Sequence, residues 1–333
     1  MTIYDIAKEA GVSITTVSRV INQKPGIKQE TRERVQAVLE KHNYLPNPSA
    51  KGLADRNSHM IALVVSDIRD IHYSGTVYMV EQELSKRGYH CLLVNTGDEP
   101  EQRSEALRSV MYKQVEGVVM VGSTFQEKYI QKAITRFLPS APVVMANAYL
   151  PLPNVYGILC DGRKGIEQAV DYLAANGHER IAFVGGTHNA SAREKRQGYL
   201  DGMGKNGLDR WTEVRDCKNE VWDGERSTLA LMKEKPEVTA IIYEGDLIAV
   251  GGIHALRQLE LGVPEAVSMI GFDNSIYAQI SVPGLTSIDD KLGVMGIKCA
   301  QTLCDVLEGN GTVAQMMLIP ELVERESVRR IRD

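Results

Sequence analysis

Residues 2–22 predict two short helices joined by a tight turn, and this pattern constrains the fold of the chain more than any other. Thr2 with Asp5, and later Ser13, stand where helix N-caps belong. Gly11 falls between the two helices, where a turn favours a residue that tolerates positive φ. Apolar residues at helical spacing give each helix one face to bury: Ile3, Ile6, Ala7 and Ala10, then Val17, Val20 and Ile21. The pattern predicts a helix-turn-helix, whose second helix enters the major groove of DNA.

The outward face of the second helix carries side chains that suit base recognition. Arg19 can make a bidentate contact with a guanine edge. Thr15 can donate to or accept from a base, and Ile14 can cover a thymine methyl group. The simpler explanation is a helical hairpin with a hydroxyl-rich solvated face, and this motif alone leaves that alternative open.

Three stretches of the opening region resemble the DNA-binding headpiece of the lactose-repressor (LacI/GalR) family. They are Thr2-Ile-Tyr-Asp-Ile-Ala-Lys-Glu-Ala-Gly-Val-Ser13, Thr16-Val-Ser-Arg-Val-Ile-Asn22 and Asn43-Tyr-Leu-Pro-Asn47. Weaker matches continue to the last residues, so the resemblance covers essentially the whole chain. It implies a hinge that folds into a helix on the operator and wedges Leu53 into the minor groove. We therefore predict DNA contacts at these residues: Thr2, Tyr4, Ser13, Ile14, Thr15, Thr16, Ser18, Arg19, Asn22, Ala50 and Leu53.

The charge of the chain is divided unevenly along its length. Residues 1–58 hold nine Lys or Arg against six Asp or Glu, a net charge of +3. The remaining residues carry −8, so the whole chain carries −5. A small basic part can approach phosphates while an acidic body keeps away from them. This modest asymmetry supports an interaction between the N-terminal part and double-stranded DNA.

The totals limit the class of protein. A chain of 333 residues predicts two or three domains. No apolar run approaches the roughly 20 residues that a membrane span needs, and no export signal precedes the first predicted helix, so we expect a cytoplasmic protein without a membrane partner. Five cysteines, odd in number and without a CxxC motif, predict free thiols in a reducing compartment. Seven histidines lack metal-ligand spacing, so we predict neither a metal ion nor a cofactor.

From residue 59 onward, short runs rich in Val, Ile and Leu alternate with amphipathic stretches. The predicted strands form two sets: 61–65, 90–94, 117–121, 142–146 and 156–160, then 180–184, 239–243 and 267–272. Continuous apolar strands separated by helices predict parallel sheets covered on both faces. The predicted fold class is therefore α/β: a small all-α helix-turn-helix headpiece followed by a core of two doubly wound parallel-sheet subdomains with a cleft between them.

We predict three regions along the chain. They are a headpiece over 1–46, a hinge or linker over 47–59, and an effector-binding and dimerisation core over 60–333. A third predicted helix over 29–42 completes the headpiece. The resemblance implies a core like that of periplasmic binding proteins, in which the chain crosses between subdomains more than once. It places the N-subdomain at about 60–161 and 290–319, and the C-subdomain at about 162–289 and 320–333.

Polar residues follow the predicted strands and are candidates for binding a ligand. They are found in the segment 67–73, at Ser123-Thr124, at Asp161, at Gly245-Asp246 and at Asp273-Asn274. Carboxylates at strand ends that face a cleft suit hydrogen bonding to hydroxyl or amino groups. Helix N-capping and loop solvation explain the same carboxylates equally well.

The resemblance narrows this set to positions that contact effectors in sugar- and purine-responsive family members. Asp161, Trp222 and Asp273 match such positions, although a half-buried core tryptophan explains Trp222 nearly as well. Lys195 stands where the family has an arginine, and a lysine cannot give the planar bidentate grip of a guanidinium. Gly245 stands in place of an asparagine. Family members often have two aromatic residues at positions 72 and 73; Tyr73 keeps this pattern and His72 departs from it. The predicted effector contacts are His72, Tyr73, Ser123, Asp161, Lys195, Trp222, Gly245, Asp246 and Asp273.

These features predict a transcription regulator, expected to be a repressor, that binds a pseudo-palindromic operator as a homodimer. We expect a sugar or a related metabolite as its effector. The alternative is a regulator of the catabolite-control type, whose corepressor is a protein. A solute-binding receptor is a weaker alternative because of the headpiece. Gly185-Gly186 is only a weak phosphate-loop signal, and no nucleophile–base pair is identifiable, so we predict no catalytic residues and no enzyme activity.

Overall fold

The computed structural model describes residues 2–21, 23–44, 58–186 and 189–331. Internal contacts divide the chain into two compact units, Met1–Ser58 and His59–Asp333. Three predicted DNA-contacting residues, Asn22, Ala50 and Leu53, lie outside the described residues.

The described residues of the first unit form three helices: α1 (Ile3–Ala10), α2 (Ile14–Ile21) and α3 (Gln29–Lys41). A capping box begins α1, since Thr2 Oγ1 accepts from the Asp5 backbone N–H and the Asp5 carboxylate accepts from the Thr2 backbone N–H. Gly11 ends α1 in the left-handed conformation, with φ of 65°. The Ser13 hydroxyl accepts from the Thr16 backbone N–H at 3.1 Å and so caps α2.

A small apolar core joins the three helices. Its buried members are Ile6, Ala7, Ala10, Val17, Val20, Val35 and Val38. These residues include nearly all those predicted to face inward, because the helical spacing of the sequence survives in the folded unit. The third helix begins without a side-chain cap from Lys28. The predicted all-α headpiece with a helix-turn-helix is confirmed.

In the second unit, the residues that the structure describes form twelve strands in two sheets. In chain order they are β1 (Met60–Val65), β2 (His90–Asn95), β3 (Gly117–Val121), β4 (Val143–Ala146), β5 (Val155–Cys160), β6 (Ile181–Val184), β7 (Glu213–Arg215), β8 (Ala240–Tyr243), β9 (Ser268–Phe272), β10 (Thr286–Asp289), β11 (Gln315–Leu318) and β12 (Glu321–Val323). The first sheet has the order β11-β5-β4-β3-β1-β2, with every neighbouring pair parallel. The second has the order β12-β10-β9-β8-β6-β7, parallel except for β12 on β10.

Helices cover both faces of each sheet. They are α4 (Ile71–Ser85), α5 (Pro100–Tyr112), α6 (Lys128–Phe137), α7 (Gly162–Ala175), α8 (Ala190–Lys205), α9 (Val221–Glu234), α10 (Asp246–Gln258), α11 (Ile276–Ile280) and α12 (Leu292–Leu307). On the first sheet, α4 and α12 share one apolar cluster while α5 and α6 share the other. On the second, α7 and α8 lie on one face while α9 and α10 lie on the other. This arrangement confirms the predicted fold class of two doubly wound subdomains.

Three short elements were not predicted: β7, β10 and α11. The sequences of β7 and β10 lack the run of Val, Ile and Leu that identified the other short strands, and the five residues of α11 are too few for a helical period to show. All five cysteines are free thiols. Among the described residues, no helix combines the length and the apolar composition needed to cross a membrane.

Candidate functional site

The helix-turn-helix presents most of its predicted DNA-contacting side chains to solvent. Tyr4 is 67% exposed and Ile14 is 39% exposed, and both are therefore apolar groups that the core of the headpiece does not use. Thr15 and Arg19 are also exposed. One guanidinium nitrogen of Arg19 donates to the Pro25 carbonyl oxygen at 2.9 Å, which holds the side chain beside the loop after α2. An arginine has five N–H donors, so most of the fork stays available for a base edge.

Two other predicted contacts already serve the helix itself. The hydroxyls of Ser13 and Thr16 lie 2.9 Å apart, and the Ser13 hydroxyl also caps the helix. Thr16 and Ser18 are partly buried. Thr2 is exposed and caps α1. The hydroxyls of Thr2 and Ser13 therefore fix the starts of α1 and α2. Backbone N–H groups point outward at a helix start and favour a phosphate.

A cavity of about 420 Å³ lies at the carboxyl ends of strands from both sheets of the second unit. Segments that follow β1, β3 and β4 line it from the first sheet, and segments that follow β8, β9 and β10 line it from the second. Six of the predicted effector contacts line this cavity: His72, Tyr73, Ser123, Lys195, Gly245 and Asp273. Such a crevice outside the carboxyl ends of parallel strands is where doubly wound proteins bind ligands.

Lys195 and Asp273 form the charged centre of the cavity. The Lys195 ammonium donates to the Glu244 backbone carbonyl at 2.9 Å and lies 3.8 Å from the Asp273 carboxylate. It also sits 3.6 Å from the centre of the Phe272 ring, a favourable cation–π position. Burial raises the pKa of Asp273, although the positive charges of Lys195 and His72 act against that rise.

His72 lies between two carboxylates. Its Nδ1 is 3.9 Å from an Asp273 oxygen, and its Nε2 is 3.5 Å from an Asp290 oxygen. The backbone N–H of His72 donates to Asp70, the N-cap of α4, so the imidazole is held in the first turn of that helix. Burial acts to lower the pKa of His72, but the negative charges of Asp290 and Asp273 outweigh it and raise that pKa.

The backbone supports two of these side chains in unusual ways. Asp273 has φ of 101°, a conformation that is costly for a residue with a Cβ and that tends to occur at functional sites. Gly122 has φ of 116°, and a Cβ there would lie 2.9 Å from the Tyr73 ring. The glycine therefore gives Tyr73 room to pack against the end of β3. Burial raises the pKa of the Tyr73 hydroxyl to about 12.

Three predicted effector contacts do not line the cavity. Asp161 caps α7 by accepting from the Lys164 backbone N–H at 2.9 Å, the alternative role that the sequence left open. Asp246 is fully buried behind the cavity wall. Trp222 is 73% exposed near the start of α9, so it is neither in the cavity nor half-buried in a core.

Several residues that line the cavity were not predicted, and for three of them the reason is their place after a strand. Asn147 follows β4 directly, so the rule applied to the other strand ends identifies it too. Asn219 and Asp290 follow the short strands β7 and β10, which the sequence pattern did not reveal. The segment 67–73, a predicted polar strand end, also contributes Asp67, Arg69, Asp70 and Ile71 to the lining. The remaining unpredicted residues are Thr76, Val121, Gly122, Ala146, Asn189, Ser191, Glu244, Leu247, Ser275, Tyr277 and Met295.

Comparisons with known proteins agree with this architecture. Residues 2–47 match the family described as bacterial regulatory proteins, lacI family, and residues 170–328 match the periplasmic binding protein-like domain. The headpiece and the cleft together define a DNA-binding transcription regulator with a ligand-binding core. An HTH-type transcriptional regulator of Lachnoclostridium phytofermentans is 32% identical over 98% of this chain and 99% of its own length. The chain belongs to the LacI family of bacterial transcription regulators.

Other relatives extend the comparison. Catabolite control protein A of Staphylococcus xylosus is 28% identical over 97% of this chain and 98% of its own. The solved complex of the transcriptional regulator CelR with cellobiose has a TM-score of 0.72 at 27% identity, covering 98% of this chain and 99% of that one. A lac repressor dimer bound to operator and the anti-inducer ONPF has a TM-score of 0.90 at 24% identity over 99% of both chains, a likeness of fold. These relatives are regulators, which confirms the prediction that the chain is not an enzyme.

Proposed function

We propose that the protein is a repressor that binds a pseudo-palindromic operator as a homodimer and responds to a small polar metabolite in the cavity. The observation that carries this proposal is the cavity of about 420 Å³, which both subdomains line with buried charged groups. A ligand that contacts both sides stabilises whichever relative position of the subdomains fits it best. Such a ligand can therefore change the conformation that the DNA-binding parts of a dimer require.

The DNA side of the proposal rests on the exposed face of α2. Arg19 would read a guanine, while Thr15 and Ile14 would contact neighbouring bases. The headpiece over 1–46 would dock on the duplex, and the segment 47–59 would act as the hinge. Within that hinge, Ala50 would contact DNA and Leu53 would enter the minor groove.

The effector side rests on the chemistry of the lining. Lys195 offers a cation, Asp273 and Asp290 offer acceptors, and the Ser123 hydroxyl can donate or accept. A volume of about 420 Å³ is within the range of small-molecule sites. Several alternating donors and acceptors in that space suit a polyhydroxylated molecule, so we propose a sugar or a related metabolite. The complex of the 27% identical regulator with cellobiose supports this class of ligand.

The direct experiment is thermal unfolding of the full chain against a panel of sugars, sugar phosphates, nucleobases and nucleosides. A ligand at about 100 times its dissociation constant should stabilise the core by about 2.7 kcal/mol. Asp273→Ala should abolish that shift and the response to the effector while keeping the affinity for DNA. The matched control is Asp171→Ala, which removes a carboxylate that pairs with Lys205 on the surface and should keep the response. A full response in Asp273→Ala would contradict the assigned site.

A regulator with a protein corepressor is the second candidate. It is favoured by 28% identity to catabolite control protein A over nearly the whole chain, together with a lysine at position 195. No thermal shift with any member of the panel, combined with tight binding of a phosphorylated carrier protein, would replace the first proposal by the second.

A further inference from the structure

We propose that His72, Asp273 and Asp290 form a binding site for a divalent transition-metal ion, of which zinc is the representative. This inference rests on the proposed function only in assigning the same cavity to the effector. It reverses the sequence-based prediction that the chain binds no metal, which considered only the spacing of histidines along the chain.

The three side chains are already close enough to share one ion. Each offers one ligand atom, and these atoms all lie within 4.8 Å of one another. The His72 Nε2 and an Asp290 oxygen are 3.5 Å apart. Two ligands at about 2.0–2.1 Å from a tetrahedral zinc ion are separated by about 3.3–3.4 Å, so this pair needs almost no movement. The nearest Asp273 oxygen lies 3.9 Å from the other imidazole nitrogen, Nδ1, so the Asp273 side chain has to move toward Nε2 to join the ion.

Two atoms of this cluster have no hydrogen-bond partner within the part of the chain that the structure describes. They are His72 Nδ1 and Asp290 Oδ1, and Asp290 is only 2% exposed. Buried polar groups are nearly always partnered, since leaving one unpaired costs free energy. Asp290 Oδ1 belongs to the carboxylate that would bind the ion, and it lines the cavity, so this unpaired oxygen indicates a ligand there. His72 Nδ1 is the nitrogen on the side of Asp273, and an ion bound at Nε2 leaves Nδ1 to a water or to the Asp273 carboxylate.

The chemistry of the cluster favours one class of ion. One imidazole and two carboxylates are a nitrogen and oxygen ligand set of the kind that zinc and its neighbours bind. Magnesium and calcium prefer oxygen ligands alone, so the histidine disfavours them. The two carboxylates balance the charge of a divalent ion. Three protein ligands leave at least one coordination position open toward the cavity, where water or an effector oxygen can bind.

The position of the cluster gives the ion a role in regulation. His72 lies in the first turn of α4, against the first sheet, whereas Asp273 follows β9 of the second sheet. Asp290 lies in the segment between β10 and α12, which passes from the second sheet back to the first. An ion bound to all three would fasten the two subdomains across the cleft. Lys195 need not leave, because its ammonium has the Glu244 carbonyl and the Phe272 ring as other partners.

The test uses the full-length protein after removal of metals by chelation. Calorimetric titration with zinc should show one tight site per chain, and cobalt should give visible d–d absorption without a thiolate charge-transfer band. His72→Gln and Asp290→Asn should each weaken zinc binding by more than about 100-fold, since loss of an outer-shell partner alone costs 10–100-fold. The matched control is His254→Gln, which changes a partly exposed histidine beside Glu225 and should leave zinc affinity unchanged.

Thermal melts of the metal-free variants establish that each one folds, and Asp273→Asn supplies a third ligand variant. The proposal is overturned if the wild type shows no tight site, or if the folded ligand variants keep it. A further outcome also overturns the metal proposal: the wild type does not bind zinc, and Asp290→Asn loses the response to a sugar. In that case His72, Asp273 and Asp290 bind the organic effector directly. DNA binding in chelator, measured on a duplex selected from a random pool, tests the proposed function separately.

Discussion

The headpiece and the cavity use polar side chains in opposite ways. On the headpiece, Arg19 and Thr15 are exposed and take no part in the apolar core beneath them. In the cavity, Lys195 is 8% exposed and Asp290 is 2% exposed, and the charged groups contact one another. A residue that reads DNA can therefore be changed without altering the fold, whereas a residue in the cavity also determines how the surrounding strand ends are held.

The two regions also differ in how far apart their residues lie in sequence. The two helices of the helix-turn-helix lie within residues 3–21 and their caps are local, while Val35 and Val38 of α3 complete the apolar core beneath them. The side-chain cluster of His72, Asp273 and Asp290 joins residues that are more than 200 positions apart in sequence. Mutations that separate folding from function should therefore be easier to find on the headpiece surface than among the buried residues of the cavity.

The largest effect is expected from the core of the headpiece. Ile6→Ala removes a fully buried side chain from a unit with only seven buried apolar residues among those described. The loss should be about 2–5 kcal/mol, enough to unfold so small a domain. We expect DNA binding to disappear while the melting transition of the second unit, a separate compact body, stays unchanged. Calorimetry of the full chain together with DNA titration measures both.

The matched control for this change is Ile14→Ala, the same substitution at an exposed position of α2. It should lower DNA affinity moderately and leave the headpiece folded. A core transition that shifts along with Ile6→Ala would contradict the independence of the two units.

The next effect concerns a buried carboxylate behind the cavity. Asp246 accepts from the Ser275 backbone N–H, the Ser275 hydroxyl and the Ser287 hydroxyl, at 2.7–2.8 Å. Burial raises its pKa to about 6, against the effect of these hydrogen bonds. Asp246→Ala leaves the donors unpaired and should cost the core about 1.5–3 kcal/mol. Because Ser275 lines the cavity, the response to the effector should weaken as well.

Chemical denaturation of the variant is compared with that of Asp171→Ala, which removes a partly exposed carboxylate paired with Lys205. If both variants unfold at the same denaturant concentration, Asp246 is a passive buried group and the contrast with the headpiece is weaker than we propose.

The same contrast explains how much the sequence could predict. Helix caps, turn glycine and apolar spacing lie within a few residues of one another, so the headpiece was predicted almost residue by residue. The long apolar strands of the core were predicted for the same reason. Neither β10 nor β7 was found, because both are short and largely polar, unlike the four-residue apolar strands β4, β6 and β8 that were predicted. Asp290 and Asn219 follow these two strands, so they were missed with them.

Burial was the other property that the sequence did not predict. Asp161 and Asp246 follow strands as Asp273 does, yet the first caps a helix and the second is fully buried. The direction of a side chain at a strand end depends on the backbone of its loop, and at Asp273 that backbone has a φ of 101°. A single sequence gives no signal for that conformation at an aspartate.

A smaller effect is expected from the DNA-reading face. Arg19→Ala should cost about 1–3 kcal/mol of specific DNA binding and relax the preference at one base pair. The melting temperature of the headpiece should stay close to that of the wild type, because among the described residues the exposed Arg19 side chain makes its hydrogen bond to the Pro25 carbonyl and the substitution keeps the backbone. Binding to a set of single-substituted duplexes measures the preference. An equal loss on every duplex would show that Arg19 contacts a phosphate.

The smallest effect is expected from Trp222. Its side chain is exposed, as the DNA-contacting side chains of the headpiece are, but it is close in sequence to Asn219, which lines the cavity. An exposed indole gains free energy when a ligand covers it, so the prediction that Trp222 stacks on the effector requires an effector that extends beyond the residues lining the cavity. Trp222→Ala should then cost about 0.5–1.5 kcal/mol of effector binding and nothing in stability. The measurement is effector titration of the wild type and the variant, with the emission of Trp222 as a second signal. If the substitution leaves effector affinity unchanged, and the effector leaves the emission of Trp222 in the wild type unchanged, Trp222 does not contact the effector. In that case only the buried charged groups of the cavity bind the effector, and exposed side chains contact a ligand only in the headpiece.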